Sequence, residues 1–443
     1  MPVYRFLAPV LALLALVLLS CLFVLGHTGL YVAILQHWGI APFTFPFVDA
    51  SGALAAWECT RLGVDVVQHD PCDALGRDYS YPPFWMALSW IPLGIKDTTV
   101  VGWALDFSFL VSLVFLPAAK RWWEPVLIVL ATLSTMVVFA LERANPDLLM
   151  FILALVAGFL AMRASLARFL TYPIALFAAA VKYYPITVMI LSVRERIANF
   201  VAINLAALCV VALFVTVYLS DIERGIPLIA TGSYFLDFFG ARTLPSAVAQ
   251  ILEHTADASS SSVPAANDVA VRLYLMLVAL GGIICWAVLR SGRLRGSLAL
   301  LAPDEHIFLV IGSVLMVGCF FAGQNLGYRG IFFLFVLPGL LALSRIGSHR
   351  RIRALGALTA VTVVFLMWGE CIRQNLSLAL GAPDAPHDAI VTALTLFWFL
   401  RELLWWWPVS VMTAILLVFL WESEARRGLS EALTRRLAGF RRS

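Results

Sequence analysis

Charged residues are scarce in this chain of 443 residues. Asp, Glu, Lys and Arg make up 13% of the sequence, whereas ordinary soluble domains carry about 25%. Apolar residues make up 62%, and the mean hydropathy is +0.91. A soluble fold would have too little polar surface to cover so large an apolar core. The composition therefore excludes an ordinary soluble protein and predicts one that lies in a lipid bilayer.

Basic clusters of the kind that bind nucleic acid are also missing. The arginines stand singly or in pairs at the ends of apolar runs, which indicates membrane topology. Despite the net charge of +4, we expect no nucleic-acid partner. Lysine is rare, and Lys182 stands out because it lies within an apolar stretch, far from the ends of the run.

The seven cysteines show no spacing that is typical of a metal site. Cys59 and Cys72 lie in the first polar segment. They could form a disulfide if that segment is outside the cytoplasm. The sequence is equally compatible with the alternative, in which both cysteines are free thiols. The others fall in or beside apolar runs and are predicted to be small core residues: Cys21, Cys209, Cys285, Cys319 and Cys371.

Apolar runs of the length needed to span a bilayer recur along the whole chain. We predict an all-α, polytopic transmembrane helical bundle with about ten to twelve spans. Residues 81–95, short and bracketed by prolines, are predicted to form an interfacial or partly inserted helix. The predicted spans are residues 6–26, 99–119, 124–141, 147–162, 169–191, 197–219, 269–289, 306–321, 330–344, 354–371, and a last run that ends near Trp421.

Most basic residues fall on one side if the N-terminus is cytoplasmic and residues 169–191 form a hairpin broken at Tyr184-Pro185. The positive-inside rule then predicts that both termini lie in the cytoplasm, in a bacterial-type inner membrane. This topology places three long segments outside the cytoplasm: residues 27–80, 220–267 and 373–388. The second of them includes a flexible run at 256–267. Three short turns also face outward, at residues 142–147, 182–185 and 324–329.

Ionisable side chains at membrane depth cost roughly 2.5–3.5 kcal/mol each, so they persist where they face a wet cavity or a partner. Asp49 follows an aromatic, proline-containing stretch of the first loop. Such a carboxylate suits a general base for an acceptor hydroxyl. The alternative is that Asp49 is the N-cap of a helix that begins at Ala50.

The three short outward turns supply candidate binding residues: Glu142, Arg143, Asn145, Asp147, Lys182, Tyr183, Tyr328 and Arg329, with Arg373 after a later span. For the first turn, the alternative is an ordinary polar turn with Pro146 at the first helical position. Lys182 suits a lipid phosphate, with tyrosine hydroxyls as donors, unless it extends to the headgroups. Arg329 and Arg373 face outward against the charge bias and suit an anionic leaving group. Headgroup contacts or a Glu370–Arg373 salt bridge are the alternatives.

These residues carry a resemblance to a known family. The elements are Asp49, Trp57-Glu58-Cys59, Gly63-Val64-Asp65, Tyr79-Ser80-Tyr81-Pro82-Pro83, Glu142 to Asp147, Lys182 to Pro185, and Tyr328-Arg329. Together they resemble the GT-C superfamily of membrane glycosyltransferases, and glycosyltransferase family 87 in particular. The resemblance covers residues 2–329, with a weaker last quarter.

The resemblance implies a single membrane-embedded domain over residues 1–443. Its catalytic module is residues 1–345, and residues 346–443 add C-terminal helices and a basic cytoplasmic tail. It implies that a hexose, mannose on the family likeness, is transferred with inversion from a polyprenyl-phosphate donor to a lipid or glycan acceptor. In this reaction Asp49 would be the catalytic base, and Tyr81 would be among the binding residues. Some superfamily members bind a divalent metal through Asp-x-Asp in the first loop. No such triplet stands near Asp49, and Asp65, Asp70, Asp73 and Asp78 are too dispersed, so we expect no metal or other cofactor.

Two other classes of membrane protein compete with this interpretation. A lipid-linked sugar flippase or transporter would also be polytopic, but such proteins often show broken helices at matching places in two halves. The sequence shows one break, at Pro185, and no counterpart. A surface-polysaccharide polymerase would be expected to have its dominant outer loop late in the chain, whereas the longest loop here is the first.

Overall fold

The computed structural model describes residues 4–43, 45–67, 69–77, 79–228, 237–255, 266–290, 292–381 and 387–430. Asp78, most of the predicted flexible run at 256–267, and the last part of the predicted basic tail lie outside these residues. The described chain is an all-α helical bundle with a single pair of two-residue strands. This confirms the predicted helical class.

Seventeen α-helices are described, and the first half of the chain contains nine of them. These are α1 (Tyr4–Val24), α2 (Thr28–His37), α3 (Val48–Arg61), α4 (Thr98–Leu113), α5 (Glu124–Thr132), α6 (Thr135–Arg143), α7 (Asp147–Ala161), α8 (Thr171–Val181) and α9 (Ile197–Gly225). The second half adds α10 (Thr243–Thr255), α11 (Ala266–Leu289), α12 (Arg293–Leu298), α13 (Pro303–Ala322), α14 (Phe333–Ile346), α15 (Arg350–Met367), α16 (Gly369–Leu380) and α17 (His387–Trp421).

Short 3-10 helices and one strand pair join these elements. The 3-10 helices are Pro83–Leu88, Ile95–Asp97, Leu166–Leu170, Tyr184–Arg194, Ile226–Leu228 and Gly327–Phe332. Strand β1 (Phe238–Phe239) runs antiparallel to β2 (Asn325–Leu326), with Phe238 opposite Leu326 and Phe239 opposite Asn325. The pair fixes the segment before α10 against the turn before α14.

Six described helices are long and apolar enough to cross a membrane, or up to eight if each of two bent pairs counts as one span. Helix α9 shows the clearest lipid-facing character: Ala207 is its one buried residue, and its leucines are exposed. An apolar helix with exposed leucines needs lipid as its solvent. Helices α13 and α14 are instead mostly buried and form the centre of the bundle, where Phe335 stacks on Phe151 with 4.0 Å between ring centroids.

The segments predicted to face outward contain helices. The first holds α2 and α3, the second holds α10, and residues 373–380 belong to α16. The prediction of a helix over residues 81–95 is wrong in detail. Residues 81–95 contain a six-residue 3-10 helix, Pro83–Leu88, and no longer helix.

The prediction of a single helix break is also wrong. The predicted break at Tyr184-Pro185 is present, because α8 ends at Val181 and a 3-10 helix begins at Tyr184. Helix α9 is kinked at Tyr218, and two pairs of successive helices are bent. Helices α5 and α6 meet at 42°, and α15 and α16 meet at 54°. In both of these pairs the apolar run continues across the bend, so hydropathy alone did not reveal it.

Candidate active site

Two strained backbone positions lie beside the candidate residues. Phe47, which precedes α3, has φ 61°, and Ala144, which follows α6, has φ 45°. Left-handed conformations are uncommon for residues with a side chain and cluster at functional sites. The Phe47 N–H donates to the Glu142 carbonyl oxygen at 2.7 Å, so the start of α3 is fastened to the end of α6. Phe47 flanks the helix and Asp49 makes no capping bond, so the N-cap alternative for Asp49 is wrong.

Asp49 lies in the first turn of α3 and is 6% exposed. Its Oδ2 accepts a hydrogen bond from Asn145 Nδ2 at 2.7 Å, and its Oδ1 accepts one from Arg77 Nη1 at 3.1 Å. Arg143 Nη1 lies 3.9 Å from the same Oδ1. An ionised carboxylate has about four acceptor positions, so Asp49 can still accept a hydrogen bond from a further hydroxyl.

Asp147 begins α7 and is fully buried. Its Oδ1 accepts hydrogen bonds from Lys182 Nζ and from the Tyr184 hydroxyl, both at 2.6 Å. Arg329 Nε lies 3.6 Å from its Oδ2. Lys182 is 4% exposed and points inward, so the alternative in which it extends to the headgroups is wrong. Two cations therefore share one buried carboxylate, which leaves one positive charge in excess.

Asn145 joins the two charged groups. Its side-chain Nδ2 donates to Asp49, and its Oδ1 accepts from Lys182 Nζ at 3.1 Å and from the backbone N–H of Asp147 at 2.9 Å. Asn145 is fully buried, so each of these bonds forms away from bulk water. The amide of Asn145 has partners for both its nitrogen and its oxygen, so it holds Asp49, Lys182 and the start of α7 in one geometry. The turn at 142–147 is therefore more than an ordinary polar turn. Among the described residues, by contrast, Asp147 Oδ2 and Arg329 Nε are buried without a hydrogen-bond partner.

Two cavities meet at this network. The larger chamber, of about 490 Å³, is lined by Lys182, Arg329 and Asn325 together with apolar side chains. The smaller chamber, of about 230 Å³, is lined by charged groups of the first loop and its neighbours: Asp49, Asp70, Asp73, Arg77 and Arg143. Tyr81 and Tyr328 line both chambers and so stand between them. The Lys182 ammonium lies 5.4 Å from the Tyr81 ring centroid and 5.7 Å from that of Tyr328.

Most of the predicted residues lie in this network or line one of the two chambers. Glu142, Tyr183 and Arg373 are less closely involved. The Glu142 carboxylate is buried, accepts a hydrogen bond from the Tyr31 hydroxyl at 2.9 Å, and lines neither chamber. Tyr183 lines the larger chamber at its rim and is 38% exposed. Arg373 lines neither chamber and pairs with Glu370 at 2.7 Å, the salt bridge that the sequence offered as its alternative.

Three residues at the site were not chosen as candidates from the sequence. Tyr184 and Asn325 lie within the short outward turns or directly beside the chosen residues, whereas Arg77 was not considered. Arg77 donates to Asp49 and also to Asp73, whose Oδ2 lies 2.9 Å from its Nε. Burial opposes the charged form of Asp73, but hydrogen bonds from Arg77 prevail and lower the pKa of Asp73 below its ordinary value. An arginine in a loop rich in carboxylates was the available signal for Arg77.

A disulfide joins Cys59 and Cys72 within the first loop, so of the two alternatives that the sequence left open the structure has the disulfide and not two free thiols. It ties α3, which carries Asp49, to the segment that carries Asp73 and Arg77. Within the described residues, one group of three potential metal ligands lies close together: Cys59, Asp70 and Cys72. Both of its sulfur atoms are used in the disulfide, so this group does not fit a metal ion.

The arrangement can bind an anionic group in the larger chamber and hold a hydroxyl beside a carboxylate in the smaller one. Since the two chambers share four lining residues, Ser80, Tyr81, Leu326 and Tyr328, groups bound in them would lie next to each other. Buried cations around a cavity act strongly on an anion because water is excluded. No protein-family model, curated protein or solved structure matches the chain.

Proposed function

We propose that this membrane protein is an inverting glycosyltransferase. It transfers a hexose, mannose on the family resemblance, from a polyprenyl-phosphate donor to a lipid or glycan acceptor at the extracytoplasmic face. The observation that carries the proposal is the pair of adjoining chambers. One holds a positive charge in excess at Lys182 and Arg329, and the other holds the carboxylate of Asp49.

The proposed reaction is one displacement. The acceptor hydroxyl oxygen attacks the anomeric carbon, and its proton passes to Asp49 as general base. The bond between the anomeric carbon and the phosphate oxygen breaks on the opposite face, and the polyprenyl phosphate leaves with the bonding electron pair. Attack and departure on opposite faces invert the anomeric configuration, as in inverting glycosidases.

The larger chamber would bind the donor phosphate and stabilise it as a leaving group. Asp147 holds Lys182 and Arg329 in place but neutralises one of their two charges. The remaining charge matches the negative charge that develops on the phosphate oxygen in the transition state, where preorganised cations act most strongly. The first loop has no Asp-x-Asp pair for a divalent ion, so these side chains take that role in the proposal.

The proposal places the first loop outside the cytoplasm and both termini inside, in a bacterial-type inner membrane with about ten to twelve crossings. The disulfide supports this orientation, because such bonds persist in oxidising compartments. Six long helices and two bent pairs make up to eight crossings. Further crossings would use the shorter apolar segments Asp147–Ala161, Leu166–Val181 and Tyr184–Arg194.

A transfer assay tests the proposal. The purified protein in nanodiscs receives radiolabelled polyprenyl-phosphate mannose and a membrane lipid extract, and wild type is compared with Asp49→Asn. We expect label in a new lipid or glycan with wild type alone. No transfer from mannose or other polyprenyl-phosphate sugars, by a protein that still binds the lipid, would contradict the proposal.

The second candidate is a lipid-linked sugar transporter. The observation that favours it is the bend between α15 and α16, where Glu370 follows the break as Lys182 follows the end of α8. Charged residues at broken helices are typical of transporter binding sites. Movement of an intact lipid-linked sugar between the two leaflets, without transfer of label, would select this candidate.

A further inference from the structure

A third cavity, of about 450 Å³, lies at the opposite end of the bundle from the two chambers. Helix α7 begins at Asp147 in the candidate site and ends at Ala161, which lines this cavity. At 1.5 Å per residue, its 15 residues separate the two places by about 22 Å. Four arginines line the cavity: Arg163, Arg168, Arg194 and Arg196. The proposed transferase uses none of them.

The positive charge in this cavity is only partly compensated. Arg168 Nε pairs with Glu195 Oε1 at 3.1 Å. Arg194 donates to the Ala161 carbonyl oxygen at 3.1 Å, which is a neutral partner. Within the described part of the chain, Arg163 and Arg196 make no ion pair.

Glu424 is the second carboxylate that lines the cavity, and it is exposed. Four guanidinium groups therefore face two carboxylates, and two positive charges are in excess. Guanidinium groups bind phosphate oxygens through two parallel hydrogen bonds, so they are well suited to a phosphate.

Exposed apolar side chains stand beside this cationic cavity. Arg168 belongs to the 3-10 helix Leu166–Leu170, whose two terminal leucines are 81% and 54% exposed. A soluble phosphate would gain nothing from such neighbours, whereas the acyl chains of a lipid would cover them. Basic pockets between transmembrane helices bind anionic lipid headgroups.

We propose that this cavity binds the phosphate of an anionic membrane lipid, with Arg163 and Arg196 as principal ligands. The test is a lipid titration of the full-length protein, followed by native mass spectrometry, with phosphatidylglycerol, cardiolipin and zwitterionic phosphatidylcholine. Arg163→Gln with Arg196→Gln is compared with Arg350→Gln with Arg351→Gln, which removes the same charge from exposed residues of α15.

We expect anionic lipids to bind in preference to phosphatidylcholine. The Arg163/Arg196 double variant should weaken that binding on the order of 30-fold, since each basic residue near an anionic surface contributes about a factor of five. The Arg350/Arg351 variant should bind as wild type does. Equal losses in both variants, or none in either, would overturn the proposal. Inorganic phosphate or glycerol phosphate that competes as strongly as the lipid would overturn the assignment to a lipid.

Discussion

Buried ion pairs occur at both ends of the bundle, and their charge balance differs. Away from the candidate site, Arg345 pairs with Glu124 at 2.6 Å and with Glu305 at 3.0 Å. Lys120, whose side chain is half exposed, also pairs with Glu305, at 2.7 Å. Two cations there meet two carboxylates. At the candidate site, Lys182 and Arg329 share Asp147 alone.

This difference separates a structural role from a functional one. Removing a charge from water is costly unless a partner of opposite charge replaces the lost interactions. A network with equal numbers of positive and negative charges therefore needs no bound ion to neutralise it. The network around Asp147 keeps one positive charge beside a cavity. Both non-glycine residues with positive φ in the described chain, Phe47 and Ala144, also lie at this end. We therefore infer that the network around Asp147 serves to bind a ligand, whereas the network of Glu124, Arg345 and Glu305 holds helices together.

The largest effect should follow from Asp49→Asn. The amide keeps the shape of the side chain but cannot accept the acceptor's proton, so turnover should fall about 100- to 10,000-fold. Asp304→Asn, at the start of α13 on the opposite end, is the control and should keep wild-type turnover. The comparison is measured as transfer of labelled sugar. An Asp49→Asn variant with full turnover would remove Asp49 as the base.

Lys182→Gln and Arg345→Gln should both destabilise the fold, because each removes a cation from a buried carboxylate. The loss of one partner of such a pair costs about 3–5 kcal/mol. The two variants should differ in function: Lys182→Gln should lower turnover of the folded protein, and Arg345→Gln should not. Unfolding curves and transfer rates on matched samples check this. If turnover fell equally in both, the contrast between the two networks would fail.

Loss of the disulfide should cost about 3 kcal/mol, as expected for a bond that closes a short loop. Cys59 and Cys72 are 13 residues apart, and the loop between them leads directly to Asp73 and Arg77. The variant with both cysteines changed to alanine should unfold at a lower temperature than wild type. Cys285→Ala is the control at a buried free cysteine. A wild type that unfolds identically with and without reductant would contradict the expectation.

The Asp73–Arg77 pair should give a smaller, pH-dependent effect. The pKa of Asp73 is lowered in the folded protein, so the pair stabilises the fold above the ordinary carboxyl range. That stabilisation is lost as the pH falls through the lowered pKa. Below about pH 4, the unfolding temperature of wild type should therefore drop more steeply than that of Asp73→Asn. Parallel curves for the two proteins would contradict the lowered pKa.

Much of the helical architecture was predictable, since apolar runs are determined by the bilayer and are visible in the sequence. The helix break at Lys182 was also predictable, because Pro185 has no backbone N–H to donate within a helix and a lysine is costly inside a span. Helix α2 could not be told from a loop because it is short and follows α1 after only a brief turn at Gly26. Helix α3, by contrast, begins at Val48, close to the helix start that the sequence offered at Ala50. The bend at Trp368 was missed because the apolar run continues through it.

The candidate site was predictable as a set of turns but not as a network. Charge at the ends of spans pointed to Asp49, Asp147, Lys182 and Arg329. The partner of each side chain depends on how helices that are distant in sequence pack together. The spacing of residues therefore could not predict that Arg77 donates to Asp49, or that Tyr184 and not Tyr183 donates to Asp147. Arg373 was grouped with the site on orientation alone, and its partner Glu370 lies one helical turn away.

The larger chamber is proposed to bind the donor phosphate, and the smaller chamber is proposed to hold the acceptor hydroxyl beside Asp49. Equilibrium binding of polyprenyl phosphate tests this assignment most directly. The protein in nanodiscs is titrated with this lipid, the proposed leaving group, as wild type, Asp49→Asn, Lys182→Gln and the control Arg345→Gln. We predict wild-type affinity for Asp49→Asn and Arg345→Gln, and an affinity about 10- to 100-fold lower for Lys182→Gln, the loss expected for one charge-assisted hydrogen bond. Unchanged binding by Lys182→Gln, or weakened binding by Asp49→Asn, would contradict the account.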